Sequence, residues 1–158
     1  MTARGSITVD PLDRHPHLLA RLCAEFTREW PEWCASVTRL ELESCFACAP
    51  GGGLPLVLVA HRDGEPLGTI ALRPWFAEEP MAETPWVRGL LVFPEHRGGA
   101  VFRALESGIE RHARAQGFAC LHAGTTSIER LLSRRGWQVF RRIDHHGEPM
   151  AWMRKAIS

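Results

Sequence analysis

Apolar residues recur along this chain with two periods, one of about 3.6 residues and one of two, which predict helices and strands respectively. Residues 100–116 carry an apolar side chain at every fourth position, at Val101, Leu105, Ile109 and Ala113. Residues 16–30 carry a similar stripe, at Leu18, Leu22, Phe26 and Trp30. Both segments are therefore predicted to be amphipathic helices, the earlier one ending at Pro31 and the later one at Gly117.

Shorter segments complete the predicted order. Two further helices are expected over 34–49 and 127–135. Strands are expected where apolar residues alternate or run together between turn residues, over 6–12, 54–60, 67–72, 86–93, 119–123, 137–143 and 150–156. The order is strand, two helices, three strands, helix, strand, helix and two strands. It predicts one α/β domain over residues 1–158, with a mixed sheet flanked by about four helices.

Composition narrows the class of protein. The chain has 158 residues, a net charge of +1 and a single lysine, so it lacks the basic surplus with which proteins bind nucleic acid electrostatically. No apolar run approaches the roughly 20 residues of a membrane span, and the first residues lack the apolar region of a signal peptide. Five cysteines are an odd number for a disulfide framework. We expect a cytoplasmic monomer or homodimer without nucleic-acid or membrane partners.

Cys45 and Cys48 form a C-x-x-C pair, a spacing typical of zinc or redox sites. No second pair follows, and the histidines are scattered along the chain. The pair also falls within the predicted helix 34–49. Core packing is therefore expected for these cysteines, and no metal is predicted.

The segment PEHRGGAVFRAL, residues 94–105, places two adjacent glycines directly before the longest predicted helix. Such bare backbone has two explanations. It forms a tight turn only, or it holds an anion on the unpaired N–H groups that begin a helix. In open α/β sheets, ligands prefer the place where the carboxyl end of a strand faces a helix N-terminus.

The element order and two motifs resemble the GNAT superfamily of acyl-CoA-dependent N-acetyltransferases. That family has a strand ending in V-x-P, followed by Q/R-x-x-G-x-G/A at the start of a helix. The matching residues here are Val92, Pro94, Arg97, Gly98 and Ala100, with Glu95 and Phe102 as departures. Gly136-Trp137 matches a later landmark of the family. Residues 15–31 and Leu121-His122 are also faintly similar to the branch that acetylates processed actin N-termini.

The resemblance implies a mostly antiparallel central sheet and acetyl-CoA as the cofactor. In the family, loop amides hold the pyrophosphate of coenzyme A, and the preceding strand contacts the pantetheine arm. The implied cofactor-binding residues are Leu91, Val92, Phe93, Arg97, Gly98, Gly99, Ala100, Val101, Phe102 and Arg103. A main-chain N–H, of Val92 or Phe93 here, is implied to polarise the acetyl carbonyl.

The positions of the acid and the base depart from the family pattern in this sequence. A glutamate often deprotonates the amine in the family, and Glu83 is the nearest candidate. The family's tyrosine acid would fall at Leu132, four residues before Gly136, but the chain contains no tyrosine. Ser133 and His122 are the candidate replacements, although a coenzyme A thiol is acidic enough to leave unaided.

The loop after the third strand lies where family members build the acceptor pocket. Trp75, Phe76 and Trp86 are expected to wall it, with Arg88 favouring an acceptor that carries a carboxylate. A cationic amine would instead be favoured by the acidic residues Glu78, Glu79 and Glu83. The resemblance implies acetyl transfer by direct attack of a primary amine of a small molecule or a peptide N-terminus. The alternative is a catalytically impaired module that binds acyl-CoA as a sensor or partner.

Overall fold

The computed structural model describes residues 5–77 and 79–157 of the chain. Its helices are α1 (Leu19–Glu29), α2 (Pro31–Ala35), α3 (Arg39–Ser44), α4 (Ala100–Ala115) and α5 (Glu129–Arg134). Its strands are β1 (Thr8–Pro11), β2 (Leu56–Arg62), β3 (Glu65–Arg73), β4 (Trp86–Val92), β5 (Cys120–Thr125), β6 (Gln138–His145) and β7 (Glu148–Ala156). None of the helices in the described ranges is long and apolar enough to cross a membrane.

The strands form one seven-stranded sheet in the order β1-β2-β3-β4-β5-β7-β6. Strands β4 and β5 are parallel, and Trp86 pairs with His122 and Val87 with Ala123. The pairings β1–β2, β5–β7 and β6–β7 are antiparallel. The predicted mixed, mostly antiparallel sheet is therefore confirmed.

The chain divides into two compact units, each made of two segments. Unit 1 comprises Met1–Ala71 and Gly89–Ile109, and unit 2 comprises Leu72–Arg88 and Glu110–Ser158. Helix α4 begins in unit 1 and ends in unit 2. Its predicted apolar stripe is buried along its whole length, at Val101, Leu105, Ile109 and Ala113.

The core of unit 1 lies between α1, α3 and the strands. Leu22, Phe26, Phe46, Val59 and Phe93 are among its buried residues. The predicted stripe of α1 holds through Phe26. Trp30, which follows the last residue of α1, remains 39% exposed because the chain leaves the helical conformation there.

The segment 34–49 differs from its prediction as one helix. Helix α2 ends at Ala35, and a new helix, α3, begins after Thr38. The Thr38 hydroxyl accepts a hydrogen bond from the Glu41 amide at 3.1 Å, and the Glu41 carboxylate accepts one from the Thr38 amide at 3.2 Å. This capping box satisfies donors that begin a helix, so it starts α3 separately.

The two cysteines of the C-x-x-C pair lie beyond α3 and contact the main chain. The Cys45 thiol donates to the Glu41 carbonyl, and the Cys48 sulfur lies within 3.5 Å of both the amide and the carbonyl of Val57. Within residues 5–77 and 79–157, no group of potential metal ligands includes a cysteine.

In unit 2, helix α4 is joined to β7 by polar contacts. The Lys155 ammonium lies 3.0 Å from the Glu110 carboxylate, and the Arg114 guanidinium donates to the Ile157 carbonyl at 3.0 Å. Lys155 and Glu110 are both largely shielded from water, which strengthens their attraction relative to an exposed pair.

Two backbones in unit 1 approach each other closely at Gly68. A Cβ atom at this position would lie 2.6 Å from the Leu91 carbonyl oxygen and 3.2 Å from the Val92 Cα. Both are backbone atoms of β4, so neither can move aside as a flexible side chain would. Glycine at position 68 therefore allows β3 and β4 to pair where β4 approaches its end.

We expect Gly68→Ala to lower the free energy of unfolding by about 1–3 kcal/mol, because it overpacks a rigid contact. Gly53→Ala is the matched control, since Gly53 has a negative φ and no heavy atom lies within 4 Å of its Cβ position. Urea unfolding of both variants measures the difference. Equal stability of the two variants would contradict this account of β3–β4 packing.

Candidate active site

The corner between β4 and α4 is built from a short turn and a glycine pair. Strand β4 ends at Val92, a single turn of 3₁₀-helix spans Pro94–His96, and α4 begins at Ala100. The backbone of Gly98 has a φ of +128° and that of Gly99 a φ of +109°. These conformations strongly favour glycine, so the pair is required by the shape of the corner.

The surroundings of Gly98 are open. No heavy atom outside its own neighbours lies within 4 Å of its Cβ position, and the residue is exposed. A ligand oxygen can therefore approach the main chain here without displacing a side chain. This openness fits a phosphate group held by amides at the start of α4.

Two arginines add positive charge to this corner. The Arg103 guanidinium covers Gly99, where its Nη1 atom lies 2.5 Å from the Cβ position of that residue. The Arg97 guanidinium donates to the Val92 carbonyl at 3.1 Å and to the Glu29 carboxylate at 3.2 Å. The first contact ties the loop to the end of β4, and the second ties it to α1.

The directions of the Val92 and Phe93 amides decide which of the two is available to polarise the acetyl carbonyl. The Phe93 amide donates to the Leu67 carbonyl of β3 at 2.9 Å, so it is not available to a ligand. The expectation that Phe93 offers its N–H is corrected by this bond. Successive residues of a strand point their polar groups to opposite sides, so the Val92 N–H is directed away from β3.

The remaining cofactor candidates divide by exposure. The side chains of Leu91, Phe93 and Val101 are buried, so any contact they make with a ligand is through the main chain. Arg97, Ala100 and Arg103 are exposed, and Phe102 is half-buried.

Unit 2 contains a cluster of aromatic rings around His122. Its members, which we call the aromatic cluster, are Phe76, Trp86, His122, Phe140 and Trp152. Their ring centroids lie 4.9–6.5 Å apart along the contacts they share. Because Trp86 pairs with His122 and Trp152 with Gly124, these residues share one face of the sheet.

His122 is buried within this cluster, and its ring is oriented by one hydrogen bond. Nδ1 lies 3.1 Å from the carbonyl oxygen of Pro85. Because a carbonyl oxygen can only accept a hydrogen bond, the proton of the neutral ring lies on Nδ1. Burial lowers the pKa of His122 from its usual value of 6.5, although the hydrogen bond to Pro85 opposes the effect. A neutral ring with a lone pair on Nε2 is the result at pH 7.

Trp152 was not among the sequence candidates. Its Nε1 atom is buried and has no hydrogen-bond partner in the part of the chain that the structure describes, which is uncommon for an indole N–H. Only the pairing of Trp152 with Gly124 of β5 brings it to the cluster. The apolar residues over 150–156 predicted a strand but gave no neighbour for Trp152.

The predicted acceptor residues are partly brought together. Phe76 contacts both Trp86 and Arg88. Its ring centre lies 5.2 Å from that of Trp86, and the Arg88 guanidinium donates to its carbonyl and lies 4.7 Å from its ring centre. Trp86 is fully buried and donates its indole N–H to the Glu83 carbonyl at 2.8 Å. It therefore supports the cluster and has no surface of its own to offer a ligand, contrary to expectation. Trp75 is half-buried outside these ring contacts, and Glu78 lies outside the described residues.

The other proton-transfer candidates differ in their surroundings. The Glu83 carboxylate is 25% exposed and lies 3.9 Å from the Arg141 guanidinium. Ser133 is an exposed residue of α5, and Leu132 beside it is buried. Of the three predicted candidates, His122, Glu83 and Ser133, only His122 is buried. Its hydrogen bond to Pro85 also fixes the orientation of its side chain.

Comparison with known proteins agrees with this geometry. Residues 19–136 match the acetyltransferase (GNAT) family, whereas no curated protein matches the chain by sequence. The fold is similar to that of aminoglycoside 6'-acetyltransferase type Ii, with a TM-score of 0.78, 19% identity and coverage of 96% of this chain and 97% of that one. It is also similar to an aminoglycoside 6'-N-acetyltransferase from Enterococcus faecium (0.77, 17%, 96% and 97%). A third similar structure is yncA from Salmonella typhimurium, solved with its cofactor acetyl-CoA (0.76, 19%, 96% and 94%).

A glycine corner at the start of a helix, within a mixed sheet of this order, is characteristic of the acyl-CoA-dependent acetyltransferase fold. The chain belongs to the GNAT family of acetyltransferases. The family resemblance found in the sequence is thereby confirmed, as is acetyl-CoA as the acetyl donor of the family. At identities of 17–19%, the likeness to individual structures establishes the fold alone.

The burial of His122 generates a prediction for pH. In the folded protein we expect the His122 ring to titrate below 6.5, as measured by NMR of its ring protons. Because the unfolded chain binds this proton at a higher pH, the free energy of unfolding should fall as the pH is lowered through 6.5. The fall should be smaller in His122→Gln. A ring that titrates at or above 6.5 would contradict the described burial.

Proposed function

We propose that the chain is an N-acetyltransferase, a single catalytic domain that moves the acetyl group of acetyl-CoA to a primary amine by direct attack. The observation that carries the proposal is the open glycine corner at the N-terminus of α4, in a chain of this family. Bare main chain and two arginines suit the phosphates of coenzyme A. A turn that only changes the direction of the chain does not require the space around the Gly98 Cβ position to be empty.

The residues that would hold the cofactor lie in unit 1. The amides of Gly98, Gly99 and Ala100 would bind its pyrophosphate, with charge supplied by Arg97 and Arg103. The Val92 N–H would donate to the acetyl carbonyl oxygen as negative charge develops on it. When bound, acetyl-CoA supplies a thioester whose carbonyl carbon is attacked by the amine and whose thiolate leaves.

His122 is the residue that we propose to accept the proton of the attacking amine. Its Nδ1 proton is held by Pro85, so Nε2 is the atom that accepts. Burial favours the neutral ring, which keeps this lone pair available at pH 7. Glu83 is the second candidate for this role, because its carboxylate is partly exposed in the same unit.

The departing thiolate needs no dedicated acid in this proposal. The chain has no tyrosine, and Leu132, at the family's tyrosine position, is an apolar core residue. A thiol of ordinary acidity leaves as the thiolate near neutral pH. Exposed Ser133 remains the alternative donor.

The positive charge of arginines around the aromatic cluster affects which acceptor amines the protein would prefer. Arg88 lies over Phe76, Arg141 lies 5.5 Å from the centre of the Trp152 ring, and Arg154 lies 5.6 Å from that of Phe140. The Glu83 carboxylate offsets the charge of Arg141, and the three guanidinium groups together still exceed it. An excess of positive charge disfavours an acceptor with many ammonium groups. We therefore propose a small amine that also carries a carboxylate, in contrast to the polycationic aminoglycosides that give two similar structures their names.

A module that binds acyl-CoA without catalysis is the second candidate, and the missing tyrosine is the observation that favours it. Both candidates require cofactor binding, so only turnover distinguishes them.

Cofactor binding is tested by Gly98→Glu. The new carboxylate would add bulk and negative charge among the amides at the start of α4. We expect acetyl-CoA to raise the Tm of the wild type by mass action and to leave that of Gly98→Glu unchanged. Gly51→Glu is the matched control, because Gly51 is also exposed, also has a positive φ and also has an open Cβ position. An equal shift in both variants would place the phosphates elsewhere.

Turnover is tested by thiol release in a screen of matched acceptors. Each amino acid is paired with its amide, which lacks the carboxylate, and aminoglycosides form a third group. We expect faster release with amino acids than with amides or aminoglycosides. In the same assay, His122→Gln should lower kcat by about a hundredfold, whereas His146→Asn, at an exposed turn position, should not.

Each outcome of this screen decides between the candidates. No release with any amine, by a protein whose Tm acetyl-CoA raises, would favour the binding module. Release with aminoglycosides alone would contradict the carboxylate preference. Full activity of His122→Gln would exclude His122 as the proton acceptor.

A further inference from the structure

Three potential metal ligands converge in unit 1, among residues that acetyl transfer does not use. Asp10 lies in β1, His61 in β2, and His15 between two turns of 3₁₀-helix that follow β1. The Asp10 Oδ2 atom lies 2.7 Å from Nε2 of His61 and 2.9 Å from Nε2 of His15. The three ligand atoms all lie within 4.8 Å of one another.

The backbone positions of these residues are set by the fold. Antiparallel pairing of β1 and β2 places Thr8 opposite His61 and Asp10 opposite Val59. The His15 amide donates to the Leu12 carbonyl, and the His15 carbonyl accepts from the Leu18 amide. Leu12 and Leu18 are both buried. The convergence thus results from three anchored backbone segments and does not depend on a mobile loop.

The chemistry of the three groups suits a transition metal. Two imidazole nitrogens and one carboxylate are common zinc ligands, and three protein ligands leave a coordination position for water. Ligand atoms bound at about 2 Å to one tetrahedral ion lie roughly 3.3 Å apart. The two separations from Asp10 Oδ2, 2.7 and 2.9 Å, are shorter than that value, and the two imidazole nitrogens lie within 4.8 Å of each other. Rotations of the side chains that lengthen the two hydrogen bonds would therefore admit an ion. The side chains are 16–26% exposed, which leaves an approach from solvent.

We propose that Asp10, His15 and His61 bind a divalent transition metal ion of the zinc type. In the absence of metal, the two imidazoles share one oxygen of Asp10. On binding, each Nε2 gives up its hydrogen bond to Asp10 and coordinates the ion, and any proton it carries is released. The site is separate from the acetyl-transfer proposal and does not depend on it.

The test uses tag-free, chelator-treated protein, Zn²⁺ titration calorimetry and Co²⁺ as a spectroscopic probe. We expect one equivalent of Zn²⁺ to bind and to raise the Tm. His61→Gln and Asp10→Asn should each weaken Zn²⁺ binding at least about tenfold. His146→Asn is the control, because it removes an exposed histidine elsewhere and should bind as the wild type does.

Cobalt distinguishes this site from the five cysteines of the chain. Bound through imidazole and carboxylate, Co²⁺ should show visible bands without the near-ultraviolet charge transfer of thiolate ligands. Charge-transfer bands, no saturable Zn²⁺ binding up to millimolar metal, or unchanged affinity in His61→Gln would each overturn the proposal. The cluster would then be a hydrogen-bonded link between β1, β2 and the turn.

Discussion

The close approach of β3 and β4 at Gly68 is the constraint on which the glycine corner between β4 and α4 depends. No side chain fits between these backbones, because the Leu91 carbonyl would lie 2.6 Å from a Cβ atom. Their pairing commits the Phe93 amide to the Leu67 carbonyl and directs the Val92 amide to the opposite side. The end of β4, and therefore the start of the glycine corner, is set by the same contact.

A second constraint operates in unit 2, where aromatic rings exclude water from an ionisable group. Burial beside Trp86 and Phe140 disfavours the charged form of His122, and the Pro85 carbonyl fixes which nitrogen carries the proton. The imidazole of His122 is therefore neutral and oriented in the protein without a ligand. The indole N–H of Trp152, which has no hydrogen-bond partner among residues 5–77 and 79–157, adds a buried donor to the same cluster, where the cost of leaving it unbonded is high.

The missing tyrosine is a chemical difference within a shared fold. Leu132 packs into the core at the family's tyrosine position, so this part of α5 contributes apolar packing where relatives are expected to contribute a proton. The fold tolerates the change because a leucine fills the position without a buried polar group. Whatever chemistry the chain performs must therefore rely on groups outside this position.

The sequence by itself determined the elements that depend on local spacing. The stripe from Val101 to Ala113 predicted α4, because residues three and four apart share a helix face. Gly98 and Gly99 predicted the open corner, because few other residues adopt their backbone conformation. The mixed sheet also followed from the order of the elements. One local signal was missed: the Thr38–Glu41 capping box divides the segment predicted as a single helix.

Only the tertiary structure decided which distant residues meet. Asp10 and His61 are 51 residues apart in the chain, and Trp152 reaches Gly124 through β5–β7 pairing. The burial of Trp86, the neutral state of His122 and the direction of the Val92 amide also depend on strand register. Register is set by long-range packing and pairing of backbones, and the alternation of a single strand specifies only which face a residue is on, not its neighbour on the next strand.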